Sequence, residues 1–412
     1  MRILIMSLAV MSFCFIGCSD QEGCTDQSAI NYDPDADNDD GSCIYDDDGN
    51  GNGNGDDNGD EPEILTSINT PTTLEVRFEN EEDKPDYIVD GRVNIDAPLT
   101  IEPGVHIEVR SGNRIQVNSE GQFNAVGTAE NPIRIYGAED VAGYWECIRF
   151  NGSNSQNNVM EHVHVSDAGG NSNYDGIIYT SSSSRLAMAN CTVSNSERNG
   201  IVLSSETTVE AFEDNHIDAC NNYPMYLNSI VQVNGINETT TFGDENTQNY
   251  IYISGRRNIE FDATFERTNV PFLLNGSTVT DGTVNIEPGA HIAMGSGASL
   301  RIGGEGTIRA IGTESERITI DGRESTKGYY DHFRIVSSSA QNEFQYVDMS
   351  YGGGDSRRAA IIYLSGGSSF TMGNSSINNS QRNGITGSSD ATFIDDGNNT
   401  YDGNEDEDNT FL

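Results

Sequence analysis

From residue 63 onward, short runs of Ile, Val, Leu, Phe and Tyr are separated by clusters of Gly, Asn, Ser and Asp. Within a run, Leu186, Met188 and then Val193 alternate with small polar residues, the period of two that turns one face of a strand inward. Gly176-Ile177-Ile178-Tyr179 leads to the run Leu186 to Val193, and Gly200-Ile201-Val202-Leu203 then restarts the cycle. A coil of that length suits three short strands and three turns. An antiparallel meander would place tight Asn-Gly turns between equal strands, and that pattern does not dominate here.

A longer repeat lies over the short one. Ile101-Glu102-Pro103-Gly104-Val105-His106-Ile107 returns in the second half of the chain as Ile286-Glu287-Pro288-Gly289-Ala290-His291-Ile292. Gly127-Thr128 and Gly143-Tyr144-Trp145 return at the same offset as Gly312-Thr313 and Gly328-Tyr329-Tyr330. Ile177-Ile178-Tyr179 and Asn195 to Ile201 return at nearly that offset, as Ile361-Ile362-Tyr363 and Asn379 to Ile385, with a single position lost on the way. One cassette therefore spans about 86–216 and a second about 271–401, with an unduplicated bridge between. Such units cannot bury an apolar face alone, and stacking them makes one continuous core. Asn190, Asn195, Asn374 and Asn379 are expected where the coil bends sharply, their amides bonding along the axis.

The runs Leu99 to Gly104, Ala125 to Ile133 and Gly143-Tyr144-Trp145 with Ile148-Arg149-Phe150 resemble bacterial right-handed parallel β-helix proteins of the pectate-lyase-like superfamily. The resemblance covers about 84–400 and implies an all-β, right-handed parallel β-helix over 63–412. It marks the scaffold strongly and the reaction hardly at all.

Export changes the picture of where this scaffold works. Residues 1–17 carry one positive charge before an apolar stretch ending in Phe15-Ile16-Gly17, too short to span a bilayer and suited to a signal peptide. The Gly17-Cys18 junction resembles a bacterial lipobox, in which Cys18 takes lipid and anchors the chain to a membrane. Ser19-Asp20-Gln21-Glu22 resembles the tags that send lipoproteins to the exterior face of the outer membrane in Bacteroidota. Residues 18–45 thus hold the lipidated N-terminus and a small acidic module bounded by Cys24 and Cys43. Residues 23–45 resemble a short cysteine-bounded module of secreted Bacteroidota proteins. A Cys24–Cys43 disulfide is expected outside the cytoplasm, because so small a unit needs a staple. Cys147, Cys191 and Cys220 are odd in number, so at least one is expected as a buried free thiol. Residues 46–62, rich in Asp, Gly and Asn, offer nothing to bury and read as a self-repelling tether.

The charge narrows function further. Sixty-five Asp and Glu against 22 Lys and Arg give −43, which excludes the clustered bases that nucleic-acid binding requires. Asp33, Asp35, Asp37 and Asp39 supply alternating oxygens of the kind Ca²⁺ prefers, although Asn38 stands where an EF-hand loop needs Gly. His162 and His164, two apart on an expected strand, form a candidate metal pair. His106 and His291 are expected to pack on the Pro-Gly turn. Arg149 and Arg334 are candidates either for local ion pairs or for holding the carboxylate of an acidic sugar. Tyr144, Trp145, Tyr329 and Tyr330 are candidate sugar-stacking platforms. No nucleophile-base pair or phosphate loop stands out, and with so many acids no single carboxylate pair is informative.

The expected function is a non-enzymatic surface lipoprotein whose β-helix serves adhesion or glycan binding, its two cassettes raising avidity. The runner-up is a surface polysaccharide lyase or glycoside hydrolase, and a third reading is an envelope spacer.

Overall fold

The computed structural model describes residues 61–412 except 79–83, 205, 256–259, 261, 407–408 and 412, together with residues 22–25, 27, 32, 34, 36, 38 and 39. Residues 1–60 and 61–412 form separate compact units. In the first, Glu22–Gly23 pairs in parallel with Asn38–Asp39. Cys24 is buried and disulfide-bonded. Cys18, Cys43, Asp33, Asp35 and Asp37 lie outside the described residues, and Asp39 sits on the second short strand.

The larger unit is an all-β parallel solenoid of about 14 turns over residues 63–402. Its described strands fall into five sheets. Sheet 1 has six strands within 72–213, sheet 2 eight within 63–242, and sheet 3 thirteen within 93–402. Sheets 4 and 5, of six strands each, span 263–395 and 277–411. The expected alternation holds: Leu186, Met188 and Val193 are buried, and one apolar cluster runs from Leu65 to Ile385. Each coil therefore buries its face on the coils above and below.

The turns repeat as closely as the strands. Left-handed backbone occurs at His162 and Tyr346, Asp167 and Tyr351, Asp175 and Ala359, Asn190 and Asn374, and Asn195 and Asn379, every pair separated by the same offset. All four asparagines named from sequence thus sit at sharp bends. Asn398 Nδ2 donates to Asn374 Oδ1 at 3.0 Å, an amide contact between coils. Gly143 and Gly328 also have positive φ, and a Cβ there would collide with Glu197 and Gln381. Only glycine meets both demands.

A second set of asparagines, not singled out by sequence, closes turns from within. Asn215 Oδ1 accepts from Cys191 N at 3.0 Å while its Nδ2 donates to Met188 O at 3.2 Å. Asn399 does the same at the matching place in the second copy, with Ser375 N at 3.1 Å and Met372 O at 2.8 Å. In both cases one amide on a coil satisfies the donor and acceptor that a bend in the previous coil leaves unpaired.

The bridge shifts the faces. The 3-10 helix Ile230–Val233, capped by Ser229 and Gln232, interrupts the strand pattern. Sheets 1 and 2 end nearby, sheets 4 and 5 begin, and only sheet 3 runs through. Strand His106–Val109 lies on sheet 2, yet its sequence match His291–Met294 lies on sheet 3. Likewise Ile148–Asn151 lies on sheet 3 and His332–Ile335 on sheet 5.

Candidate functional site

Along the outer side of sheet 3, strand register places one residue per coil in the row Asn94, Gln116, Arg149, Tyr179, Val202, Tyr226, Tyr252 and Leu273. Tyr226 stacks on Tyr252 with centroids 4.5 Å apart and planes at 20°. Tyr223, from the loop before strand Met225–Leu227, adds a third ring 4.8 Å from Tyr252. Toward the N-terminal end, Tyr174 lies 5.3 Å from Tyr179 and 4.8 Å beneath the Arg149 guanidinium. All five tyrosines are half-buried, leaving part of each side chain to solvent. Burial, and then the neighbouring Tyr252, push the Tyr226 hydroxyl upward, so it stays a neutral donor. Asn275 Nδ2 donates to Tyr252 Oη at 2.7 Å, fixing that ring.

Arg149 is held by neutral groups. It donates to Asn151 Oδ1 at 2.7 Å, Gln116 Oε1 at 3.2 Å, Tyr174 Oη at 3.3 Å and Ser181 Oγ at 3.3 Å. No acid lies within ion-pair distance among the described residues, so the local ion pair expected of Arg149 does not form. Arg198 does form one, with Asp175 at 3.3 Å.

The platform expectation needs correction. Trp145 and Tyr330 are both 0% exposed. Trp145 Nε1 donates to Ser166 O at 2.7 Å, so the ring lies in the core and offers no face to a sugar. Tyr144 and Tyr329 are half-buried. Tyr329 reaches Glu324 Oε1 at 3.5 Å, beside Arg323, whose guanidinium sits 5.3 Å over Tyr250. Both pairs lie in turns between strands, where the first residue stays half-buried and the second turns fully into the core.

The histidine readings also change. His162 is a left-handed bend residue between strands Val159–Glu161 and Val163–Ser166, so it does not share a strand face with His164. Among the described residues no group of three or more His, Cys, Asp or Glu could hold a metal. His291 meets Asp321 Oδ1 at 3.0 Å. His106 joins Arg134 and His164 in one row on sheet 2, over a recess of about 460 Å³ that Tyr136, Asp140 and Asp167 also line. Burial, then Arg134 and His162, hold His164 below its usual range.

Cys147, Cys191 and Cys220 are all buried free thiols, each pushed up to about 12, mainly by burial. They are inert fillers of the core.

Sequence reasoning missed Tyr174, Tyr223, Tyr226 and Tyr252. Three of them lie in the bridge, where no second copy draws attention to them; their signal is the spacing Tyr223-x-x-Tyr226 followed by Tyr250-x-Tyr252. Arg149 and Arg334, matched in sequence, stand on different sheets and are not brought together. Comparison with family models, curated proteins and solved structures finds no match to this chain.

Proposed function

We propose that this protein is a non-enzymatic surface lipoprotein whose right-handed β-helix, of the pectate-lyase-like kind, binds glycans. The single observation that carries the reading is the tyrosine strip of sheet 3: Tyr174, Tyr179, Tyr223, Tyr226 and Tyr252, ending at Arg149. A sugar presents apolar C–H patches beside hydroxyls, and a strip pairing ring surface with phenolic, amide and guanidinium groups meets both. Right-handedness accords with parallel strands joined by crossovers, which take that hand almost without exception. The Gly17-Cys18 junction supports a lipid anchor, and the acidic segment after it supports display outside the cell. Because matched positions of the two cassettes lie on different sheets, the strip, two tyrosine groups on either side of Val202, acts as a single face and not as a duplicated one.

The test is binding of the purified chain to a panel of neutral and acidic polysaccharides, beside Tyr226→Ala and Tyr252→Ala. Each variant should lose roughly fivefold to tenfold in affinity while melting cooperatively. Release of unsaturated products or new reducing ends by the wild type would overturn the non-enzymatic reading.

A further inference from the structure

The two internal sequence repeats differ around an arginine that they share. Arg149 of the first copy and Arg334 of the second are matched in sequence, and each is one register step from a matched tyrosine, Tyr179 or Tyr363. Around Arg149 the fold places Gln116, Asn151, Tyr174 and Ser181, all uncharged. At the matching positions around Arg334 stand Arg301, Val336, Arg358 and Ser365. Two neutral acceptors have become guanidinium groups and a third has become apolar.

Arg301 is the direct register partner of Arg334 on sheet 5. Among the described residues the Arg334 side chain keeps a single hydrogen bond, from Nε to Ser365 Oγ at 2.9 Å. The Nε of Arg301 is buried with no partner. Neither Arg301 nor Arg334 has an acid within ion-pair distance among the described residues. Arg358 is tied to Asp355 Oδ2 at 2.6 Å. Asp355 also faces His332, whose Nδ1 stands 3.6 Å away without a hydrogen bond. Asp331, beside them, gives up its proton less readily than an ordinary aspartate because burial and Asp355 raise it. Burial, then Arg358 and Arg301, pull Arg334 below the ordinary arginine range, a mark of mutual repulsion.

Two stacked guanidiniums one coil apart repel, and a chain with 65 acids had ample means to neutralise them. A planar fork of donors facing outward is instead the geometry that grips a carboxylate or sulfate oxygen pair. Tyr363, next in the row, supplies a ring beside that anion.

We infer that Arg301 and Arg334, backed by Arg358 and Tyr363 on sheet 5, form a binding site for an oxyanion borne by a sugar, either a carboxylate or a sulfate ester. The inference rests on the glycan-binding reading for the sugar, but not for the anion.

The experiment measures binding of the purified full chain to polygalacturonate, dextran sulfate and neutral dextran, and its thermal melting with and without inorganic sulfate. Wild type should prefer at least one anionic polymer to dextran by about tenfold or more, and the preference should shrink as salt rises. Which polymer wins identifies carboxylate or sulfate as the source. Arg301→Gln, which installs the first copy's residue, and Arg334→Gln should abolish that preference and leave dextran binding unchanged. Arg110→Gln, at an exposed arginine paired with Glu108 and outside both the strip and this site, should leave the preference within about twofold. Without anion, Arg301→Gln should melt at or above the wild-type temperature, because repulsion is removed. Anionic affinity within about twofold of wild type in both variants would overturn the site. If no polymer binds, the glycan reading fails, and the site then stands only if sulfate raises wild-type melting more than that of Arg301→Gln; equal shifts overturn it too.

Discussion

At the scale of single residues, buried amides and one histidine carry unusual weight. Asn158 is buried and bonded on every side: Oδ1 accepts from Phe123 N at 3.1 Å, and Nδ2 donates to Ser153 O and Arg185 O, each at 3.0 Å. Asn342 repeats this with Ile308 N, Ser337 O and Ser369 O. Asn342→Leu leaves a donor and two acceptors dry, so chemical denaturation should report a loss on the order of 2–4 kcal/mol, and an unchanged midpoint would refute the assignment. His332 is buried and lowered to about 4, chiefly by burial and then by Arg358, which together outweigh Asp355. Its folded value lies below its unfolded one, so the unfolded chain takes the proton first. The neutral-histidine contribution, roughly 3 kcal/mol, is complete above about pH 6.5 and is lost as pH falls toward 4. Melting of His332→Gln should be flatter than wild type across that window. The carboxylates act at lower pH. Burial raises Asp355 and Asp348, yet hydrogen bonds from Arg357 and Arg358, and from Arg317 and Ser376, bring both below the usual range, so their contribution fades only beneath about pH 4. The chemistry of His332 was not legible in the chain, since its burial depends on coils far apart in sequence.

At the scale of elements, alternation announced the strands and the recurring Gly and Asn residues announced the turns. Leu186, Met188 and Val193 face inward as their period demands, and Asn190, Asn195, Asn374 and Asn379 adopt the left-handed backbone that asparagine tolerates. Ala359 is one of several residues other than asparagine with this backbone. It holds φ +50 where the first copy has Asp175 at +59, and alanine has no side-chain bond to offset the crowding of its Cβ. Ala359→Gly should therefore raise stability by about 1 kcal/mol, read as a higher denaturation midpoint. A drop would mean that the Cβ packs usefully. His162 shows the limit of pattern reading: two residues of period two look like one strand face until a single left-handed residue breaks it.

At the scale of the molecule, the whole chain carries a formal charge of −43, and fewer than half of the described arginines are tied to acids, in pairs such as Arg317–Asp348 at 2.7 Å and Arg114–Glu146 at 2.5 Å. The rest of the negative charge repels itself, so the melting temperature should climb as sodium chloride rises from about 10 to about 300 mM, where the screening length falls from roughly 30 Å to below 8 Å. A flat or falling curve would show that paired charges dominate. The sequence by itself determined the parallel stacking, the coil length, the core positions and the turn residues, because each follows from the local period and from backbone preferences that a few neighbouring residues express. Only the tertiary structure decided which face each coil presents. Matched strands on either side of the bridge around Ile230–Val233 lie on different sheets, and the stacking of coils buries Trp145 and Tyr330, lines up tyrosines from separate coils and sets Arg301 against Arg334. Those outcomes depend on how whole coils register on one another across long stretches of sequence, and no local preference encodes that registration.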